Sequence, residues 1–169
     1  MTKLYTTRWF YFIIFSACLA LLGFGLYLEH GLDLEPCPLC IFQRIAFIVI
    51  ALIAFTGFLH GFGKVSSRIY GGLMVLAALT GAGIAGRQVW LEHLPPDKVP
   101  ACGPGLDYIL DTFPLSQALK MVLSGSGECA EVQWQFLGLS IAEWSLSCFL
   151  LFIVAGSFPF YATLRQQTL

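Results

Sequence analysis

Four long stretches without lysine, arginine, aspartate or glutamate constrain the fold of this chain most strongly. They cover residues 9–28, 45–63, 69–86 and 144–164. Each has 18 to 21 residues, and a helix of that length, rising about 1.5 Å per residue, crosses the roughly 30 Å hydrocarbon core of a bilayer. Backbone amides in lipid must bond within their own segment, which favours helices. We therefore predict an all-α membrane protein, a bundle of four transmembrane helices in one domain, 1–169.

The composition agrees with lipid as the solvent. Hydrophobic residues make up 57% of the chain and charged residues only 11%, which is outside the range of soluble globular proteins. The formal net charge is -1, so there is no general basic field, and we predict no nucleic-acid partner.

The basic residues are unevenly distributed between the two sides of the predicted bundle. One side, made of short segments, carries Lys3, Arg8, Lys64, Arg68 and Arg165. The other side, made of two longer loops, carries Arg44, Arg87, Lys98 and Lys120. By the positive-inside rule, both termini and a loop at 64–68 are cytoplasmic, and loops 29–44 and 87–143 lie outside.

The second outer loop, 87–143, is interrupted by proline and glycine, and we expect it to be mostly irregular and mobile. Within it, Leu115, Leu119 and Val122 recur at helical spacing, which predicts a short amphipathic helix. This helix either lies on the membrane surface or packs against the outer end of the bundle.

Six cysteines fall into two groups. Cys18 and Cys148 lie inside predicted spans, where a thiol usually serves packing. The other four lie on the outer side: Cys37, Cys40, Cys102 and Cys129. Four cysteines allow three pairings, and the sequence does not choose among them.

The motif Cys37-Pro38-Leu39-Cys40 favours redox chemistry over a structural disulfide. Proline is preferred at the first helical position, so Pro38 is expected to begin the second helix with Cys37 as its N-cap. The positive end of a helix dipole favours thiolate, and a four-residue ring adds little stability. A bridge from Cys102 to Cys129 would instead close a long loop, worth roughly 3 to 4 kcal/mol.

Metal and haem sites are not predicted from these cysteines. A zinc site would need a second CxxC or paired histidines, and neither is present. Haem attachment needs a histidine directly after the second cysteine, where this chain has Ile41.

Arg44 and His93 are two further candidate residues. Arg44 follows Cys40 by one helical turn on the same face as Cys37. Its guanidinium could extend to the lipid headgroups, or it could stabilise a thiolate or a reduced quinone oxygen. His93 lies near the outer end of the third span, where a lone histidine is usually an ordinary interfacial residue.

An ordered set of motifs, together with the four spans, resembles the DsbB family, the bacterial disulfide bond formation proteins B. The motifs are Pro36-Cys37-Pro38-Leu39-Cys40, Arg44 four residues on, Leu91-Glu92-His93, and Cys129-Ala130-Glu131-Val132-Gln133-Trp134 leading into Phe136-Leu137-Gly138-Leu139. The resemblance covers nearly the whole chain, and the ordered set is far more specific than a CxxC alone.

The resemblance implies a protein thiol:quinone oxidoreductase of the bacterial inner membrane. Its partners would be a DsbA-like periplasmic thiol oxidase and the membrane quinone pool, with ubiquinone or menaquinone as cofactor bound near Arg44 and His93. DsbA is itself a strong oxidant, so a quinone would supply the potential that a protein disulfide lacks.

The resemblance also implies an order of thiol exchange. The reduced partner attacks a disulfide between Cys102 and Cys129, bonds to Cys102 and releases Cys129. Cys129 attacks Cys37 and frees Cys40 as a thiolate beside the quinone. The alternative hypothesis is a non-catalytic membrane protein whose outer loops are stapled by disulfides.

Overall fold

A computed structural model describes residues 2–60, 64–100, 108, 111–125 and 127–164 of the chain. The described part contains the α-helices α1 (Thr2–Gly31), α2 (Pro38–Leu59), α3 (Lys64–Glu92), α4 (Leu115–Ser124) and α5 (Ile141–Leu164). It also contains two 3₁₀ turns, Pro96–Lys98 and Gly127–Cys129, and a hairpin of β1 (Gln135–Phe136) and β2 (Leu139–Ser140).

The four long helices α1, α2, α3 and α5 are long and apolar enough to cross a membrane. α2 packs against both α1 and α3, and α3 packs along α5. Large apolar side chains cover the outside of the bundle, and Leu151 and Val154 are 67% and 70% exposed. Such a surface suits lipid rather than water. The predicted all-α fold, a four-helix membrane bundle, is therefore confirmed.

The helices extend beyond the charge-free stretches that predicted them. Residues 64–68, predicted as a loop, form the first turns of α3, and residues 87–92 of the predicted outer loop form its last turns. α2 likewise begins at Pro38, within the predicted loop 29–44. A charged side chain limits how deep a helix sits in lipid, but it does not end the backbone hydrogen bonding.

Aromatic and small side chains hold the middle of the bundle together. The rings of Phe47 on α2 and Phe149 on α5 stack with centroids 4.2 Å apart. Gly81 lets α3 approach this stack, because a Cβ at Gly81 would lie 2.4 Å from the Phe149 ring. Small residues at helix crossings permit the close backbone packing on which membrane bundles depend.

The amphipathic helix predicted around Val122 is confirmed as α4. Val122 is buried in one apolar cluster with Leu91, and Arg87 of α3 donates a 2.8 Å hydrogen bond to the Ser124 carbonyl at the end of α4. Gly125 follows with φ +82, and a Cβ there would meet Leu91 at 2.3 Å. These contacts favour packing against the outer end of the bundle. The side chains of Leu115 and Leu119 lie outside the described part.

Region 87–143, which we expected to be mostly irregular, is more ordered than that in its described part. It holds the last turns of α3, all of α4, two 3₁₀ turns and the short hairpin. Proline and glycine separate these elements rather than preventing them.

Candidate redox site

Cys37 and Cys40 lie side by side where α2 begins. As predicted, Pro38 is the first helical residue and Cys37 is the N-cap, whose sulfur accepts a 3.3 Å hydrogen bond from the Cys40 backbone N–H. The Cys37 thiol also donates to the Cys40 sulfur at 2.8 Å. Both are free thiols here. A disulfide requires sulfurs about 2.05 Å apart, so the two sulfurs are close neighbours that are not bonded in this structure.

Cys129 meets this pair from the second outer loop. It ends the 3₁₀ turn Gly127–Cys129, is only 1% exposed, and packs in one cluster with Cys37, Leu91 and Val122. Hydrogen bonding with Cys129 is the largest cause that raises the pKa of the Cys37 thiol, followed by hydrogen bonding with Cys40 and by burial. These neighbours therefore favour the neutral thiol form of Cys37.

The structure thus brings together three of the four cysteines predicted for the site. Cys102 lies outside the described residues, so its role and its pairing with Cys129 stay predictions. No cluster of metal-binding side chains is found in the part of the chain that the structure describes.

Arg44 lies one turn below Cys40 and is bound to α1. Its guanidinium forms an ion pair with Glu29 and donates a 3.1 Å hydrogen bond to the Gly25 carbonyl. The Arg44 and Glu29 side chains are only 25% and 30% exposed. Glu29 was not predicted as a site residue, because nothing in the spacing of residues on one helix identifies a partner on another.

A cavity of about 280 Å³ opens beside Cys40 and Arg44, between α1, α2 and α5. Its polar end is formed by Cys40, Gln43 and Arg44. The rest of its wall is largely apolar: Leu21, Leu22, Phe24, Leu28, Phe47, Trp134, Phe136, Ile141, Trp144 and Cys148. A concave apolar site with a few polar groups at one end is the usual form of a ligand pocket.

The hairpin places aromatic rings over this cavity. Trp134 contacts Phe24 of α1 edge-on at 5.5 Å and stacks on Phe136 at 5.9 Å. The Trp144 indole N–H donates a 3.1 Å hydrogen bond to the Phe136 carbonyl. The turn uses Leu137 and Gly138, both at positive φ, which matches the twist of a two-residue hairpin.

A buried polar network lies behind Cys40, and it too was not predicted from the sequence. Gln43 donates to Gln88 at 2.7 Å, and the Gln88 amide contacts both Cys40 and Glu92. The Ser140 hydroxyl donates to Glu92 at 2.6 Å. Two signals could have revealed it: a glutamine within two residues of each of two apolar spans, 45–63 and 69–86, and the pattern Ser-x-x-Glu at residues 140–143, which predicts a capping box.

That capping box begins α5. The Glu143 carboxylate accepts a 2.7 Å hydrogen bond from the Ser140 N–H, and the Ser140 hydroxyl oxygen accepts one from the Glu143 N–H at 3.2 Å. Ser140 therefore both starts α5 and joins it to Glu92 at the end of α3.

His93 lies just beyond the end of α3 and apart from the cavity. Its side chain is 67% exposed, with Nδ1 2.8 Å from the Val89 carbonyl and Nε2 3.9 Å from Glu143. It does not line the cavity that contains Cys40 and Arg44. A cofactor-binding role for His93 therefore has no geometric support, unlike the one for Arg44.

The fold and this site define a multi-pass membrane protein that carries a cluster of thiols beside an apolar cavity at one end of its bundle. Residues 7–158 match the family described as "Disulfide bond formation protein DsbB". The chain therefore belongs to the DsbB family, and its general role is that of a disulfide-forming oxidoreductase.

Similar proteins carry the same description. A "Disulfide bond formation protein B" of Hahella chejuensis is 50% identical over 153 residues, covering 90% of this chain and 93% of that protein. One of Marinobacter nauticus is 48% identical, covering 90% and 91%, and one of Acinetobacter baumannii is 52% identical, covering 79% and 78%.

Proposed function

We propose that this protein is a thiol:quinone oxidoreductase that reoxidises a DsbA-like periplasmic thiol oxidase and passes two electrons to a membrane quinone. The observation that carries the proposal is the position of Cys40. Its sulfur lies between the sulfur of Cys37, which contacts Cys129, and a largely apolar cavity in the bundle. Thiol exchange on one side of Cys40 can thus be coupled to a lipid-soluble oxidant on the other.

The contact between Cys129 and Cys37 supports the proposed direction of thiol exchange. A partner thiolate attacks Cys102 of the outer disulfide, so a mixed disulfide forms and Cys129 leaves with the electron pair of the broken bond. The Cys129 thiolate then attacks Cys37, forming a new disulfide and releasing Cys40 as thiolate. Exchange requires direct approach of sulfurs, and Cys37 is the sulfur in contact with Cys129.

The remaining exchanges return the partner oxidised. The second thiol of the partner attacks the mixed disulfide and releases Cys102. Cys102 attacks Cys129 and releases Cys37, so that the outer disulfide is restored and Cys37 and Cys40 hold both electrons as a dithiol. A bound quinone would supply the final oxidation by accepting two electrons and two protons.

The cavity beside Cys40 fits a quinone head group. Its apolar walls, with Phe47 and Trp144 among them, suit a flat ring with an isoprenoid tail, and ubiquinone and menaquinone both meet that description. Arg44 adds a fixed cation at the polar end, where its planar donors can bind an oxygen that gains negative charge. Glu29 and Gly25 hold that guanidinium in place.

We further propose the bacterial inner membrane as the location, with both termini cytoplasmic and the redox cysteines periplasmic. The distribution of basic residues supports this orientation. A membrane-impermeant maleimide applied to intact spheroplasts should then label a cysteine introduced at exposed Leu137 in the hairpin. It should not label one introduced at exposed His60, at the opposite end of α2.

The activity is tested directly by purified chain, a reduced DsbA-like protein and a short-chain quinone. We expect quinone reduction that depends on both components, with one partner disulfide formed per quinol. The alternative hypothesis of stapled loops predicts that the outer cysteines stay oxidised whatever the quinone supply, and no quinol forms. A thiol trap on the same samples separates these two results.

A further inference from the structure

Gln43 and Gln88 are almost completely buried within the bundle. They are 3% and 4% exposed, and they join α2 to α3 directly behind the Cys40 sulfur. Burying an amide in an apolar bundle costs free energy unless its hydrogen bonds are made. The relay of sulfurs described above does not use either residue, so this buried pair requires a separate explanation.

The neighbours of Gln88 fix the direction in which its amide points. Gln43 donates to the Gln88 Oε1 at 2.7 Å, so that atom must be the acceptor. On the other side Gln88 Nε2 lies 3.5 Å from the Glu92 carboxylate, which when ionised can only accept. The same Nε2 lies 3.4 Å from the Cys40 sulfur. The neutral Cys40 thiol can also donate to Oε1 at 3.5 Å, but a thiolate has no proton to donate and can only accept from Nε2. One N–H therefore faces Glu92, and the other faces Cys40.

The Glu92 carboxylate is itself held from the far side. Ser140 donates to its second oxygen at 2.6 Å, and Ser140 is fixed by the capping box that starts α5. The Gln88 amide is thus anchored to three helices, α2, α3 and α5. A donor held this firmly needs little reorganisation when charge develops on the atom it faces.

We propose that Gln88 is a positioning residue whose amide N–H, oriented by Gln43 and Glu92, stabilises the Cys40 sulfur when that sulfur carries negative charge. The inference deepens the proposed function, because it assigns the group that holds Cys40 ready for its oxidant. This role accounts for the course of the polar network, which runs from Ser140 through Glu92 and Gln88 to the Cys40 sulfur.

Other charged and titratable groups surround Cys40, and they stay constant in the test. These are Cys37 as the N-cap of α2, Arg44 from α2, Cys129 from the 3₁₀ turn, Glu92 from α3, and Glu29 from α1 through Arg44. Three further carboxylates line the same cleft as Cys40: Glu35, Glu128 and Glu131. Replacing Gln88 by methionine removes the N–H while keeping a side chain of similar length, and leaves all of these groups in place.

The experiment measures alkylation of Cys40 against pH in the fully reduced chain, without quinone or partner. Brief iodoacetamide pulses are read at each cysteine by mass spectrometry. For Gln88→Met we expect the midpoint at Cys40 to move upward by about one pH unit, corresponding to about a tenfold lower rate below the midpoint. Gln43→Met only frees the Gln88 amide to rotate. It should therefore raise the midpoint of Cys40 alkylation by less than Gln88→Met does.

Gln117→Met on the exposed face of α4 is the matched control and should leave the Cys40 profile unchanged. An unchanged Cys40 midpoint in a folded Gln88→Met protein would overturn the inference. A lower thermal stability with an unchanged midpoint would show that Gln88 only holds the helices together. Should Gln88→Met fail to fold, an unchanged midpoint in Gln43→Met overturns it instead. Since no quinone enters this assay, its outcome is independent of the proposed activity, which the turnover assay tests.

Discussion

The end of the bundle where α2 begins and the middle of the bundle both contain cysteines, and their surroundings differ. Cys18 is fully buried in the apolar core, and Cys148 packs against that core. Cys37 instead interacts with both Cys40 and Cys129 at a helix N-terminus, beside two glutamines and an ion pair. The same functional group is expected to be inert in the first setting and reactive in the second. Neighbouring groups, rather than the thiol itself, define the redox site.

The largest loss of activity is expected when one sulfur is removed from the group formed by Cys37, Cys40 and Cys129. Cys37→Ser and Cys40→Ser should each abolish partner-driven quinone reduction while leaving a folded membrane protein, because lipid and helix packing hold α2 in place. Turnover and thermal stability would be measured on the same preparations. Cys18→Ala is the matched control and should retain near-normal turnover. Near-normal turnover in Cys37→Ser or Cys40→Ser would remove the motif from the mechanism.

Removing Cys129 should stop the relay at an earlier point. In Cys129→Ser the disulfide with Cys102 cannot form, so the partner is supplied in its oxidised form. The Cys102 thiolate attacks the partner's disulfide and releases one partner thiolate. Because Cys129 is not there to resolve the product, we expect a mixed disulfide between Cys102 and the partner on non-reducing gels. The control is the same variant with Cys102→Ser added, which should trap nothing. A complex that survives the added substitution would contradict the role assigned to Cys102.

Arg44→Ala tests the cation beside the sulfurs, because it leaves every cysteine in place. If the guanidinium supplies a charge-assisted hydrogen bond of roughly 1.5 to 3 kcal/mol, quinone affinity or rate should fall about ten- to a hundredfold. Arg44→Lys should recover only part, because an ammonium lacks the planar fork. A single round of thiol exchange with the partner should be nearly normal. Equal losses in both half-reactions would indicate misfolding instead.

Substitutions in the middle of the bundle should change the stability of the protein and not its redox activity. Gly81→Ala places a Cβ against the Phe149 ring, and overpacking of this kind costs about 1 to 3 kcal/mol. Gly83→Ala on the same helix is the matched control, because a Cβ there meets nothing within 4 Å. Thermal unfolding in detergent should separate the two variants, while turnover below the melting temperature stays similar. Equal melting temperatures would contradict the packing described for α3 and α5.

Much of the fold could be predicted from the sequence, because its signals are local. The four charge-free stretches identify the spans, and Pro38 after Cys37 identifies the start of α2, since lipid thickness and capping act on consecutive residues. The exact helix ends could not be predicted in this way, because charged residues such as Arg87 can continue a helix beyond the lipid core.

The site was less predictable, because it depends on contacts between helices. The alignment of Cys37, Cys40 and Arg44 follows from helical spacing alone. The pairing of Arg44 with Glu29, and of Gln88 with Gln43, requires the packing of α2 against α1 and α3. His93 stays a prediction: its side chain is 67% exposed and does not line the cavity beside Cys40.

The central claim is that the outer sulfurs deliver electrons to a quinone through Cys40, and single-turnover stoichiometry tests it most directly. Fully reduced chain would be mixed anaerobically with short-chain ubiquinone, and in parallel with short-chain menaquinone, without any partner. Quinol and remaining thiols would then be counted. We expect one quinol for each disulfide that closes, with at least one of the two quinones, and none from Cys40→Ser. Disulfide closure without quinol, or equal quinol from Cys40→Ser, would contradict the account.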